Sequence, residues 1–293
     1  MRDKMNAFCN NISNMAIKSI LYEVASSPKP GLVDRHNPGA HKDMDFFTFL
    51  SSGSVLGPYF YNCTNIGINF KGQDYTKLLI DIRPIGIKAE EDMFRATGGI
   101  NTHKGMIFSL GIIAAAAGSL FKENNKKKYT SLTISNRIKL MTKGITEELK
   151  GAHNKENLTY GEKLFLKYGF KGIRGEVEDG FISVLKYSLP VFGRLLSEKK
   201  YHINDIMVET LIHLMANVED SNILGRHSID MLYYSQKQAK KALELGGYLS
   251  EEGRSFIKEM DEDFIEKNIS PGGAADLLAV TLMLYLIENG DII

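Results

Sequence analysis

At 293 residues, with 43% hydrophobic and 24% charged side chains, the chain has the balance of an ordinary globular protein, which excludes disorder and a fibrous fold. Basic and acidic residues number 36 and 35, leaving a net charge of +1; no global field favours nucleic acid or an anionic membrane, so anionic ligands must be held locally. Cys9 and Cys63 are the only cysteines and lack paired spacing, which argues against a disulfide framework or a cysteine zinc site and for a reducing, cytoplasmic setting.

The first residues, Met1 to Asn14, are polar and lack the apolar stretch of a secretory signal, so no export is expected. Ile12, Ala16, Ile20 and Val24 then form a helical ridge. The connection from Pro28 to Asp45, PKPGLVDRHNPGAHKDMD, is stiffened by Pro28, Pro30 and Pro38 and carries Lys29, Asp34, Arg35, His41 and Asp43. A connection this long between helices is usually functional, and its stiffness argues against disorder; the plain alternative is a rigid surface crossover.

A helical pattern runs from Lys77 to Ala96, where Pro84 is expected to kink the helix or start a new one, and Glu90, Glu91 and Asp92 occupy consecutive positions on it. Gly98 and Gly99 stop it. The loop Thr97 to Gly105, TGGINTHKG, leads into the apolar stretch Met106 to Phe121, too short for a bilayer and best read as a buried helix. A helix start offers free amides and a positive dipole end, so this loop can admit a phosphate with His103 and Lys104 supplying charge; a glycine cap followed by a polar turn explains the spacing equally well. The run Lys126 to Lys128 reads as a solvated turn.

Ile134, Ile138, Met141, Ile145 and Leu149 form a second ridge. Thr159 with Glu162 makes a capping box, and Gly169 ends the helix that follows. The segment Gly169 to Gly180, GFKGIRGEVEDG, reads as a mixed-charge loop in which carboxylates suit magnesium and Arg174 suits phosphate. Asn204 is the expected cap of the helix through Met215, whose His213 reads as a packed residue; Asp220, Asn222 and Arg226 follow it. Phe181 with Leu185, and Met260 with Phe264, read as core. Ser270-Pro271 opens the last helix, where Gly272 and Gly273 expose its N-terminus, which can bind an anion or simply cap a buried helix, and Asp276 lies one turn inward.

Together these patterns predict an all-α fold, a single domain over residues 1–293 in a compact bundle of about ten helices, with the functional loops gathered at one cleft. No GxxxxGK[ST] or GxGxxG motif occurs, so phosphoryl transfer on a P-loop has no support.

The same loops carry a family resemblance. KPGLVDRHNPGAHKDM from Lys29, RPIGIKAEEDMFRATGGINTHKGMIFSLG from Arg83, TYGEKLFLKYGFKGIRGEVEDGF from Thr159 and ISPGGAADLLA from Ile269 closely resemble the triphosphoribosyl-dephospho-CoA synthase family, and they run across nearly the whole chain. One turn departs: Asp220-Ser221-Asn222 and Arg226-His227-Ser228 stand where the family shows Asp-Thr-Asn and Arg-Gly-Gly.

The resemblance implies a transferase that moves the triphosphoribosyl part of ATP onto the 2′-hydroxyl of 3′-dephospho-CoA, releases adenine and inverts at C1′. It further implies magnesium with the ATP and a product passed to the transferase that modifies the citrate lyase acyl carrier protein, while the even charge balance leads to no expectation of a nucleic-acid or membrane partner. Malonate decarboxylase has a similar enzyme, so that pathway is the alternative destination. A rival of another class is a helical, magnesium-dependent ribosyl glycohydrolase.

An inverting displacement through an oxocarbenium-like state needs a base for the hydroxyl, a nearby carboxylate and an acid for the departing ring. The expected assignments are Asp34 or Asp43 as base, and Glu90 or Glu176 on the cation or the metal, with Asp220 as a further metal ligand. Lys29, Arg35, His41, Asn101, His103, Lys104, Arg174, Arg226, Gly272 and Gly273 are expected to bind substrate.

Overall fold

The computed structural model describes residues 1–121, 129–151 and 157–292, and among these it contains helices and no strand. The Lys126 to Lys128 run lies outside the described residues. The first half comprises α1 (Arg2–Ala25), α2 (Phe46–Ser54), α3 (Gly57–Asn69), α4 (Thr76–Ala96), α5 (Lys104–Leu120), α6 (Ser131–Thr142) and α7 (Glu147–Lys150). The second comprises α8 (Tyr160–Tyr168), α9 (Gly172–Glu178), α10 (Leu189–Glu198), α11 (Ile203–Met215), α12 (Ser221–Arg226), α13 (Ile229–Glu244), α14 (Glu251–Glu266) and α15 (Gly272–Asn289). The all-α expectation holds, and the count exceeds about ten because stretches that read as connections contain the short helices α9 and α12 and one ridge divides into α6 and α7.

Two apolar helices, α5 and α15, form the centre. Their side chains from Met106 to Leu120 and from Ala274 to Leu286 are almost all buried, and α1, α3, α4, α6, α10 and α11 surround them. By length and composition α15 is apolar enough to match a membrane span, but here it is a core helix, apolar on nearly every face because neighbours cover nearly every face. The α3–α5 contact explains the run of four alanines. A Cβ on Gly67 would stand 2.2 Å from the Ala115 carbonyl oxygen, and one on Gly118 would stand 2.1 Å from that of Thr64, so the two backbones meet at a distance only glycine permits.

Several local expectations shift. Pro84 neither ends nor restarts α4. Pro84 and Ile80 are exposed, so the Ile80 carbonyl, which would have accepted from the missing amide, can turn to water. The ridge from Ile134 to Leu149 is buried as expected but is split between α6 and α7 at Gly144, whose φ is 81°. Thr159 and Glu162 form the expected capping box, and Gly169 ends α8 with φ of 75°. Asn204 does not cap α11. His202 does, and the Asn204 amide brackets Ser27, accepting from its N–H at 3.0 Å and donating to its carbonyl at 2.8 Å. That clamp fixes the exit of α1, where the proline-rich loop begins.

Candidate functional site

The proline-rich loop is an ordered structure built around one carboxylate. Asp34 Oδ2 accepts from Ser27 Oγ at 2.6 Å and the Lys29 amide at 3.2 Å, while Oδ1 accepts from the His36 and Asn37 amides at 2.7 and 3.1 Å. Asp261 on α14 adds a second tie, accepting from the Gly31 amide at 2.9 Å and the Asn37 side chain at 3.0 Å. Asp34 is thus buried and fully engaged in shaping the loop, and it does not line the cleft. Arg35 also points elsewhere, donating to Asn204 Oδ1 at 3.1 Å.

Lys29, His41 and Asp43 do reach the cleft. Lys29 is fully buried and forms an ion pair with Glu23 of α1. The free Glu23 oxygen, Oε2, is buried without a partner. Burial raises the proton affinity of Glu23, the Lys29 charge opposes that rise, and Asp34 adds to it. His41 Nε2 lies 3.0 Å from Ser270 Oγ, and Nδ1 lies 3.2 Å from Arg226 Nη2. Burial and then the Arg226 charge push the His41 pKa down to about 4, against a smaller opposing effect of Asp43, so the ring is neutral. Asp43 Oδ1 stands 3.8 Å from the ring, and its side chain is 64% exposed.

In the second loop, neighbouring residues separate. Asn101 and Lys104 face the cleft, Lys104 being paired at 2.8 Å with Glu90 Oε2 of α4. His103 turns into the core, with Nδ1 2.6 Å from Ser52 Oγ and its ring edge-on to Phe49. Burial and then the Lys29 charge lower its pKa to about 3. A neutral, enclosed ring cannot serve as the phosphate-binding cation expected of it. Glu90 reaches the cleft only through its partner Lys104.

The start of α15 already holds an anion from the protein itself. Asp220 Oδ2 accepts from the Ala274 amide at 2.9 Å, and Oδ1 caps α12 through the Asn222 and Ile223 amides at 2.8 and 3.3 Å. Both oxygens of Asp220 are therefore committed, which removes it from the expected metal set and leaves the Gly272-Gly273 helix start less open to phosphate than the sequence implied. The glycines have a packing reason instead. A Cβ on Gly272 would lie 2.8 Å from Asn222 Nδ2, and one on Gly273 would lie 3.0 Å from Asp220 Oδ2. Burial outweighs the amide hydrogen bonds and pushes the Asp220 pKa up to about 6. In the departing turn, His227 and Ser228 have φ of −135° and −134°, so neither adopts the left-handed conformation that would call for glycine.

These loops enclose two joined chambers of about 310 and 1240 Å³. The smaller lies between the proline-rich loop, α1 and the starts of α5 and α15; the larger extends along α8, α9 and α12. Arg174 on α9 lines the larger chamber and has a buried guanidinium nitrogen without a partner. Glu176 lines it too, hydrogen-bonded to the Ser183 hydroxyl, with burial raising its proton affinity. Lys171, Lys186 and Arg226 add further positive charge to the same wall. Among the described residues no three His, Cys, Asp or Glu side chains converge as a ready-made metal cluster, so Glu90, Glu176 and Asp220 do not form one.

Four acids absent from the expected set also line the cleft: Asp179 and Glu219 in the larger chamber, and Glu23 and Asp276 deeper in, by the smaller one. Glu23 and Asp276 carry a legible signal: a carboxylate set among apolar residues, beside Ile20 and Val24 on the buried face of α1 in one case and between Ala275 and Leu277 of the apolar α15 in the other.

Against known proteins, the family model described as CitG, ATP:dephospho-CoA triphosphoribosyl transferase, matches residues 9–292. A "Probable 2-(5''-triphosphoribosyl)-3'-dephosphocoenzyme-A synthase" of Vibrio cholerae is 39% identical over 275 residues, covering 94% of this chain and 87% of that protein. A protein of Escherichia fergusonii named 2-(5''-triphosphoribosyl)-3'-dephosphocoenzyme-A synthase is 38% identical over 283 residues, covering 96% of this chain and 92% of its own length. Protein CitXG of Leuconostoc mesenteroides subsp. cremoris is 39% identical over 285 residues, which cover 94% of this chain but 58% of that longer protein.

Proposed function

The chain belongs to the ATP:dephospho-CoA triphosphoribosyl transferase family, and we propose that its two-chambered cleft binds ATP and 3′-dephospho-CoA together for that transfer. The observation that carries the reading is the shape and charge of the cleft. A small, mainly polar chamber, with Leu32, Val33, Met44 and Phe49 as its apolar patch, opens into a larger one edged by Lys104, Arg174 and Arg226. The small chamber suits the adenosine end of ATP. The basic edge suits its triphosphate, and the larger chamber has room for the longer acceptor.

ATP acts here as a glycosyl donor. The acceptor 2′-hydroxyl attacks C1′ and adenine departs, so the phosphates need to be gripped but not cleaved. Arg174, whose buried nitrogen has no protein partner, and Lys104 supply that grip. Magnesium, when bound with ATP, would screen the triphosphate charge. It commonly uses one or two carboxylates plus phosphate oxygens, and Glu176 is the cleft carboxylate that fits such a role.

In the same proposal the enzyme works in the cytoplasm, where both substrates occur, and its product feeds the transferase that modifies the citrate lyase acyl carrier protein. Incubating the protein with ATP, magnesium and dephospho-CoA and weighing the products tests the reaction. Adenine and a triphosphoribosylated acceptor are expected in equal amounts and only when dephospho-CoA is present. ADP or pyrophosphate as the main nucleotide product would refute the reading, and adenine released without acceptor would convert it to a hydrolase.

A further inference from the structure

The geometry points to Asp276 as the catalytic base of this transfer, the group that takes the 2′-hydroxyl proton, with Glu23 as a positioning residue beside it. The inference rests on the reaction proposed above and concerns which side chain performs its proton step.

Six residues line both chambers: Asn101, Lys104, Gly105, Asn222, Arg226 and Asp276. The reacting centre must lie where donor and acceptor meet, and Asp276 is the one acid on that shared wall. Its carboxylate has neither a hydrogen bond nor an ion pair among the described residues, whereas the other candidates are committed. Asp34 holds its loop, Asp220 caps two helices, Glu90 pairs with Lys104, and Glu176 accepts from Ser183. Asp43 stands at the exposed rim, 64% open to solvent, where water levels the field a base requires.

The chain also keeps space for this carboxylate. A Cβ on Gly105 would lie 1.8 Å from Asp276 Oδ2, so any side chain at position 105 would push the carboxylate out of its place. Burial, the Glu23 charge and then the Asp220 charge raise its proton affinity, which suits a base that must accept a proton from an alcohol. Glu23 contributes from the small chamber, where its buried Oε2 has no partner.

Other charges face Asp276 from the surrounding elements. Lys29, His41 and Asp43 come from the proline-rich loop, Lys104 from α5 and Arg226 from α12. Across the larger chamber stand Lys171, Arg174 and Glu176 of α9, with Asp179, Lys186 and Glu219 further along its wall.

In the step itself the O2′–H bond breaks to Asp276 as the O2′–C1′ bond forms. The C1′–N9 bond breaks with its electron pair on adenine. Adenine regains one proton from water and Asp276 later returns one, so protons balance.

The test uses the full chain carrying Asp276→Asn, nearly isosteric beside Gly105, with adenine release measured from pH 5 to 9 and ATP affinity by calorimetry. The rate is expected to fall roughly 100-fold or more while ATP affinity stays within about threefold. Wild-type kcat/KM should decline on the acid side as the base is protonated, and that limb should vanish in Asp276→Asn. Glu23→Gln removes a like charge and should move the limb to lower pH. A near-normal rate in Asp276→Asn, or a limb that survives in it, overturns the base assignment. A limb on the alkaline side would make Asp276 the acid for adenine and refute it equally. An unmoved limb in Glu23→Gln removes the positioning role. Should that variant fail to fold, the Asp276→Asn profile decides the base alone. Wild-type protein that binds both substrates yet releases no adenine refutes the family reaction itself, and the assignment with it.

Discussion

Acidifying the protein should expose the buried state of His103. Its ring is enclosed, bonded to Ser52 and pressed against Phe49, and burial followed by the Lys29 charge lowers its pKa from 6.5 to about 3. Between those values the unfolded chain binds a proton that the folded chain refuses, so stability is full above pH 6.5 and falls as pH drops through the window. At about 1.4 kcal/mol per pH unit, the whole window is worth about 5 kcal/mol, of which about 2 kcal/mol lies between pH 6.5 and pH 5. His103→Gln keeps a donor and an acceptor but does not titrate. Urea unfolding at pH 7 and pH 5 should therefore show the wild type losing about 2 kcal/mol more than the variant, with other titrating groups cancelling in the comparison. Equal losses would refute the buried neutral ring. ATP affinity at pH 7 should be unchanged, and a tenfold loss without loss of stability would return His103 to the phosphate site.

Asp34→Asn should lower the unfolding free energy by roughly 2–4 kcal/mol, because a carboxylate accepting from four donors is replaced by a group with one acceptor oxygen; a 100-fold rate loss with unchanged melting would restore it as the base. Asp220 has its pKa raised from 3.8 to about 6, so the folded state binds the proton more tightly and stability falls as pH rises through that window, by about 3 kcal/mol. Asp220→Asn should abolish that decline relative to wild type in urea titrations at pH 4 and pH 7, and parallel pH slopes would refute it. Lys104→Ala should weaken ATP binding by roughly tenfold, the equivalent of one charge-assisted contact, and dephospho-CoA binding far less. Calorimetry showing unchanged ATP affinity would move the triphosphate towards Arg174 and Lys171.

The helices were legible because their apolar spacing is a local property: Ile12, Ala16, Ile20 and Val24 are all buried, as are the residues from Ile134 to Leu149 that form the second ridge. Capping was legible where the partners lie three residues apart, as in Thr159 with Glu162, and failed for Asn204, whose partner Ser27 is distant in sequence. The site followed the same division. The loops were identifiable from their glycines, prolines and charges, and they do meet at one cleft. Which member of a loop turns outward was not legible. In Asn101-Thr102-His103-Lys104 the start of α5 sends His103 to the core and Lys104 to the cleft, a choice made by Ser52 and Phe49 on α2. Likewise, nothing local to SPGGAAD says that Asp220, far upstream, occupies its amides.

That occupancy bears on how the triphosphate is held. A helix N-terminus is a ready anion site, and enzymes that cleave the phosphate chain commonly aim one at the bond being broken. Here the Asp220 carboxylate spends the α12 start and part of the α15 start on each other, locking the two helices together at the wall between the chambers. In the proposed reading, binding then falls mainly to side chains, Arg174 and Lys104 foremost, whose long stems hold charge without fixing it to a particular phosphorus atom. Such a grip suits a reaction whose bond changes occur at C1′, several bonds from the nearest phosphate. In the same reading the sugar sits between the Gly105–Asp276 approach and the loop that Asp34 holds in shape, the places where a displaced backbone would misalign the attack.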